Sequence, residues 1–177
     1  YLDEIDDAAR RIGAVNVIKV NSDKTLKGYN SDYYGFKNSV AKLLNDKENV
    51  KALVLGNGGA AKAILVALTD MFIAHKLVSR SKTENTITYE EASNLLETHH
   101  LIINCTPLGT YPNEDGCPEI DFEKIGDQHM FFDLVYNPEV SKMLRLAKEK
   151  GASIKNGYEM LELQAEKSWE IWNEEEA

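Results

Sequence analysis

Leu2, Ile5, Ala9 and Ile12 recur at intervals of three to four and predict a short helix that starts near the first residue and stops at Gly13. Val15 to Val20 reads as a strand, Asn21-Ser22-Asp23-Lys24 as a turn, and Leu26 to Asn30 as the returning strand of a hairpin. Phe36, Val40, Leu43 and Leu44 mark a second helix, closed by the polar run Asn45-Asp46-Lys47-Glu48-Asn49, which is the expected domain boundary. The pattern then changes. Val50-Lys51-Ala52-Leu53-Val54-Leu55 is almost wholly apolar, as suits a parallel strand buried on both faces. A helix with Ala60, Ile64, Ala67 and Leu68 on one side follows, then strands at His75 to Ser79, Leu101 to Asn104 and Met130 to Tyr136. Helical stretches lie between and after them, including Val140-Met143-Leu144-Ala147. A last helix is expected from about Gly157 to Trp172, with Leu161, Ala165, Trp169 and Trp172 inward. Strands alternating with helices predict an α/β fold, a doubly wound parallel sheet that binds ligands at the carboxyl ends of its strands.

Composition narrows the class. With 43% hydrophobic and 28% charged residues in 177, disordered, collagen-like and disulfide-scaffold chains are excluded. No apolar run reaches the roughly 20 residues of a membrane span. The chain opens on Tyr1 with the helical pattern already under way, and is expected to be a piece of a longer protein. The formal charge of −9 is concentrated at the end, where seven glutamates from Glu159 to Glu176 face Lys167 alone. A solvated helix face and an acidic tail account for that run. The chain has no Lys/Arg stripe, so a nucleic-acid partner is not expected. Cys105 and Cys117 are isolated, and His75, His99, His100 and His129 lack metal-ligand spacing. These features imply incidental thiols, a reducing, cytoplasmic setting and no metal.

The chemistry begins at Gly56-Asn57-Gly58-Gly59-Ala60-Ala61, between a predicted buried strand and a helix. Gly56 permits a tight turn, Gly58 lets backbone approach a pyrophosphate, and small residues at Gly59 and Ala60 let helix and sheet pack closely. The free N–H groups of the helix start supply the positive end that an anion needs. A glycine turn can also serve only to join a strand to a helix. Rossmann sites for NAD place an acid about 20 residues further on, to accept from the ribose 2′-OH. Here Ser79-Arg80-Ser81-Lys82 occupies that place, with Arg80 24 residues after Gly56. A guanidinium suits a 2′-phosphate, and the two hydroxyls add donors, so NADP is favoured over NAD. The same arginine argues against an S-adenosylmethionine methyltransferase, the other nucleotide-type reading.

Several segments together resemble shikimate dehydrogenase. They are Ile12-Gly13-Ala14-Val15-Asn16, Gly28-Tyr29-Asn30-Ser31-Asp32 with Gly35-Phe36, the glycine turn, and Asn104-Cys105-Thr106-Pro107-Leu108-Gly109. Asp133-Leu134-Val135-Tyr136-Asn137-Pro138, Asn156-Gly157-Tyr158-Glu159-Met160-Leu161 and Gln164 complete the match in chain order. The resemblance implies reversible NADP-dependent reduction of 3-dehydroshikimate to shikimate, in aromatic amino-acid biosynthesis. It implies that Asn16 and Asp32 bind substrate hydroxyls, with Asp32 also paired to a catalytic lysine, and that Tyr136 and Gln164 reach the substrate from the cofactor side. It further implies that Arg80 holds the 2′-phosphate, that Asn104, Cys105 and Thr106 line the cofactor site, and that Gly157 and Met160 sit beside the nicotinamide. A second basic residue common in the family is replaced by Glu84, for which Lys82 is the expected substitute. Each substrate-site residue also has a plainer local reading. Asp32 could cap a helix, Asn16 could satisfy a nearby backbone group, Gln164 could face solvent, and Tyr136-Asn137-Pro138 could form a turn.

The family's catalytic lysine belongs to a segment upstream of Tyr1, and Lys19, Lys24 and Lys27 match no family motif. The expected organisation is a substrate-domain remnant with its connecting helix over 1–45, an NADP-binding Rossmann-like domain over 46–156, and a helix over 157–177 that packs back toward the substrate domain. Such a chain retains cofactor binding and lacks turnover. Quinate in place of shikimate, or a non-catalytic nucleotide-binding module, are the alternative readings.

Overall fold

The computed structural model describes residues 1–45 and 47–174. Asp46, at the expected domain boundary, and Glu175 and Glu176, of the acidic tail, lie outside the described residues.

Two sheets organise the chain. The small one contains β1 (Glu4–Ile5), β2 (Val17–Val20) and β3 (Leu26–Tyr29) in the order β1-β3-β2, with β2 antiparallel and β1 parallel to β3. The hairpin therefore forms as the alternation predicts. The first helix is shorter than its spacing suggests: α1 covers only Asp7–Ile12 and ends at Gly13, which adopts φ 68°. Residues before it are extended because β3 claims their backbone, through Asp3 N–H to Leu26 O and Asp6 N–H to Gly28 O. Asp6 then caps α1, accepting from Ala8 N–H at 2.9 Å.

The large sheet has six parallel strands in the order β6-β5-β4-β7-β8-β9. These are β4 (Lys51–Leu55), β5 (Ala74–Val78), β6 (Thr86–Ile87), β7 (Leu101–Asn104), β8 (Met130–Asp133) and β9 (Ser153–Lys155). Numbered from β4, that is the 3-2-1-4-5-6 order of a dinucleotide-binding sheet. The central strands are buried on both faces. Ala52 and Val54 turn to a core shared with Phe36, Val40, Ile64 and Phe132, whereas Leu53 and Leu55 turn to one shared with Leu96, Phe131, Met143 and Leu144. The short strands β6 and β9 leave no mark in the hydrophobic pattern, because two or three residues at a sheet edge carry no periodicity.

Helices α2 (Ser31–Leu44), α3 (Gly59–Asp70) and α6 (Tyr158–Asn173) cover the first face, and α4 (Tyr89–Ser93) and α5 (Lys142–Glu149) the second. Phe36 of α2 meets Phe132 edge-on at 5.2 Å, so α2 is part of this core.

The orientation of α6 overturns one expectation. Its buried residues are Met160, Ser168 and Ile171, while Ala165 is exposed and Trp169 and Trp172 are 67% and 53% exposed. The cause is its close crossing with α2 at Gly35, where a Cβ would lie 2.6 Å from the Met160 carbonyl oxygen. Only a face of modest side chains fits such a crossing, which turns both tryptophans outward. Trp172 instead donates its Nε1–H to Ile18 O at 3.0 Å, tying the helix end to β2. Gly35→Ala is expected to cost about 1–3 kcal/mol despite alanine's better helix propensity, because backbone cannot yield as a flexible side chain can. Urea unfolding would measure it, and an unchanged midpoint would refute the crossing argument.

Candidate functional site

The carboxyl ends of β4 and β7 lie side by side where the strand order reverses, the usual ligand position in such sheets. Gly56 leaves β4 with φ 95° and backs so closely on the loop after β7 that a Cβ would stand 2.7 Å from Thr106 Cγ2. That combination admits only glycine. Gly58 is the N-cap of α3 and has no side-chain cap, leaving the first N–H groups of that helix pointing outward. Nothing lies within 4 Å of where a Cβ would stand at Gly58 or Gly59, so the approach to these groups is open.

A cleft of about 600 Å³ spreads from this turn, bounded by Gly56, Asn57, Gly58, Ser79, Arg80, Cys105 and Thr106, with Tyr89 and Glu119 further along its wall. Arg80 follows β5 and is exposed there; among the described residues its side chain has no ion pair or hydrogen bond. Ser79 is buried, its hydroxyl donating to Ser81 O and close to Thr86 Oγ1, so it shapes the turn around Arg80. Ser81 is exposed, and Lys82 is held by the Glu91 carboxylate rather than standing in the cleft. Lys82 is therefore engaged elsewhere, and Arg80 is the cation among the residues lining the cleft. Burial pushes the thiols of Cys105 and Cys117 up, the latter to about 11, so both are neutral cleft-wall groups at ordinary pH.

The wall is braced from below by a network that joins Asn104 and Thr106, both expected at the cofactor site, to Asp133, to which the sequence pattern assigns no role. Asn104 is fully buried and reaches the cleft only through Thr106, whose N–H and Oγ1 lie 3.0 and 2.6 Å from its Oδ1. Its amide donates to Asp133 Oδ1 at 2.9 Å. Asp133 also accepts from Val135 N–H at 3.0 Å and from Ser141 Oγ at 2.5 Å. Burial raises the Asp133 carboxyl above the usual carboxylate range, and these donors hold it down in part.

On the other side of the first turn of α3 lies a smaller pocket of about 260 Å³, lined by Asp32, Ala60, Leu134, Tyr136, Gly157, Met160, Leu161 and Gln164. Asp32, Tyr136, Gly157, Met160 and Gln164, singled out separately along the sequence, thus converge. Asp32 is not the helix cap; Asn30 is, accepting from Tyr33 N–H at 3.3 Å. Asp32 stands one position inside α2, where burial raises its carboxyl and a hydrogen bond with Asn16 opposes the rise. Asn16 is exposed and is not among the residues lining this pocket; it accepts from Ser31 N–H at 2.9 Å, so it fixes the start of α2. Ser31 continues the link, with its Oγ 3.1 Å from Gln164 Oε1 and 3.0 Å from Ser168 Oγ. Gln164 is thereby held toward the pocket. Gly157 is required by packing, since a Cβ there would sit 2.2 Å from Leu134 O.

No family model matches the chain. It is, however, 42% identical over 98% of its length to a shikimate dehydrogenase (NADP(+)) of Clostridium beijerinckii, covering 67% of that protein. The chain belongs to the shikimate dehydrogenase family. Among solved structures, a chorismate mutase/shikimate 5-dehydrogenase fusion protein from Clostridium acetobutylicum superposes with TM-score 0.88 at 38% identity, over 99% of this chain and 66% of that one. The shikimate 5-dehydrogenase of Thermus thermophilus, in complex with NADP(H) and shikimate, gives TM-score 0.79 at 28% identity, over 97% of this chain and 67% of that one. The chain thus spans about two thirds of the length of the shikimate dehydrogenases it matches. Among the described residues, no helix is long and apolar enough to cross a membrane.

Proposed function

We propose that this chain supplies the NADP-binding cleft and one wall of the substrate pocket for the reversible reduction of 3-dehydroshikimate to shikimate. The observation that carries the reading is the convergence of Asp32, Tyr136 and Gln164 in one pocket, across the first turn of α3 from a cleft built for a phosphorylated nucleotide. Family membership, and the NADP(H) and shikimate held by the Thermus relative, support it.

The residues fit the dinucleotide. The open backbone at Gly56, Asn57 and Gly58 and the uncapped start of α3 would hold the pyrophosphate, and unpaired Arg80 the 2′-phosphate. Thr106 and Cys105 would form the cleft wall, and Gly157 and Met160 the boundary between cleft and pocket. The bound cofactor would supply the hydride. Asp32, Asn16, Tyr136 and Gln164 present carboxylate, amide and hydroxyl groups to a polyhydroxylated ring, fixing its orientation.

Residues 1–45 are the proposed trailing part of a substrate domain, with α2 as its bridge to the proposed nucleotide-binding unit over 46–156, and α6, within the proposed terminal segment over 157–177, packs back on that bridge. Reduction of the ketone develops alkoxide charge and needs a proton donor. In the family that donor is a lysine beside the carboxylate of Asp32. Among the described residues no lysine lines this pocket, and no cation bears on Asp32. Lys19 donates to Glu174 O at 2.7 Å, and Lys27 pairs with Glu4. The 177-residue chain therefore binds NADPH and does not turn over. Titration with NADPH, followed by absorbance at the NADPH band with NADP and shikimate present, tests both halves. Saturable binding with no absorbance rise is expected, and appreciable turnover would overturn the inactive-chain reading.

A further inference from the structure

The nucleotide cleft holds a second charge of opposite sign. Glu119 lines the same cleft as Arg80, from the stretch that precedes the 3-10 turn Phe122–Lys124. Tyr89, the first residue of α4, stands in the cleft as well; burial raises its hydroxyl above the usual range, and of the two charges Arg80 opposes that rise and Glu119 adds to it. Among the described residues neither Arg80 nor Glu119 has an ion-pair partner, so both charges are available to a ligand.

The backbone that carries these groups is fastened. Thr88 and Glu91 form a capping box that starts α4, and Glu91 also holds Lys82 beside the Arg80 turn. Glu119 is flanked by buried Pro118 and Ile120, and Asp121 N–H donates to Ser93 Oγ at 3.1 Å, tying this stretch to the end of α4. Glu119 therefore projects from a braced stretch rather than from a loop tip.

In a sheet of this order the adenosine ribose lies at the end of the second strand, here β5, where Arg80 stands. A carboxylate in the same cleft repels a 2′-phosphate and accepts hydrogen bonds from free ribose hydroxyls. With Arg80 as the lining cation, one positive and one negative charge meet a group of nearly two negative charges. We propose that Glu119 is a specificity-determining residue of this cleft, offsetting the attraction of Arg80 for the 2′-phosphate and so narrowing the discrimination between NADP and NAD. This rests on the reading that the cleft binds a dinucleotide.

The test is titration of the 177-residue chain with NADPH and NADH, and with 2′,5′-ADP and 5′-AMP, in wild type, Glu119→Gln and Glu119→Lys. Because the cleft is open and screened, the expected effect is modest. Glu119→Gln should tighten the 2′-phosphorylated ligands by about 3- to 10-fold and leave the others within about twofold, with Glu119→Lys moving further the same way. The shift should shrink as salt is added. The side chain is exposed, so the glutamine variant is expected to melt with wild type. An NADPH-to-NADH affinity ratio unchanged in both variants, in a wild type that binds NADPH, overturns the role of Glu119 and leaves the cleft reading standing. A wild type that binds neither dinucleotide overturns both.

Discussion

Asp133→Ala is expected to remove about 3–5 kcal/mol of stability and to loosen both binding walls at once. The carboxylate is fully buried and collects the Asn104 amide, Val135 N–H and Ser141 hydroxyl. Alanine leaves those donors without an acceptor in a dry interior, against a total stability of about 5–15 kcal/mol for an ordinary domain. Ser141 is also the N-cap of α5, accepting from Leu144 N–H, and Val135 leads into Tyr136 of the smaller pocket. Asn104 in turn positions Thr106 of the larger cleft. Urea unfolding and NADPH titration would both register the change. Asp133→Asn keeps an acceptor for most of these donors and should cost far less. The pH dependence separates the two roles of the carboxylate. Its folded pKa is raised, so the folded state binds the proton more tightly than the unfolded one. Wild type therefore loses stability as pH climbs from about 3.9 through the raised value, relative to Asp133→Asn, which has no such group. Parallel stability-versus-pH curves for these two proteins would contradict the buried-carboxyl reading.

What could be read in advance divides along physical lines. Long apolar runs such as Val50 to Leu55 announce their burial because nothing else tolerates so many branched side chains in sequence. The glycine turn is legible because Gly56 meets its tight-turn requirement and the space over Gly58 is open to a ligand, whereas the close packing expected at Gly59 is not found, since a Cβ there would meet nothing within 4 Å. The two ends of the chain depart from their hydrophobic pattern for a shared reason. Leu2 and Ile5 have helical spacing, but whether residues that near an end are helical depends on β3, whose edge supplies a stronger set of backbone partners. Trp169 and Trp172 have the hydrophobicity of core residues, but the face of α6 was chosen by how closely Gly35 lets two backbones approach. Hydrophobic pattern records which residues gain from burial; it does not record where the partner is small enough to admit them. The sequence pattern gives Asp133 no task, since its role emerges only when Asn104, Val135 and Ser141 are brought to one point. Pairwise offsets such as Gly56 to Arg80 are local consequences of one strand-helix-strand unit, which is why they survive the passage from sequence to structure.

Arg80→Ala is expected to weaken NADPH binding by roughly 10- to 150-fold while changing NADH binding by less than about threefold. The first figure follows from about 1.5–3 kcal/mol for hydrogen bonds to a charged group. It should fall toward the upper end here, because among the described residues Lys82 is engaged by Glu91 and the cleft lining offers no second cation. Lysine at this position should recover only part of the loss, since an ammonium restores charge without the planar fork that meets phosphate oxygens in pairs. Raising the salt concentration should erode the wild-type preference for NADPH, whereas in the alanine variant, where Glu119 is the charge left lining the cleft, it should not weaken that preference further. The side chain is exposed and makes no ion pair among the described residues, so its removal should leave the melting temperature close to wild type. That separation matters, because a variant that lost both nucleotides and stability together would report damage to the turn held by Ser79 rather than loss of a phosphate contact. Fluorescence titration with the two reduced cofactors decides the matter. Equal losses for NADPH and NADH would remove the 2′-phosphate from Arg80 and, with it, the physical reason for assigning NADP to this cleft.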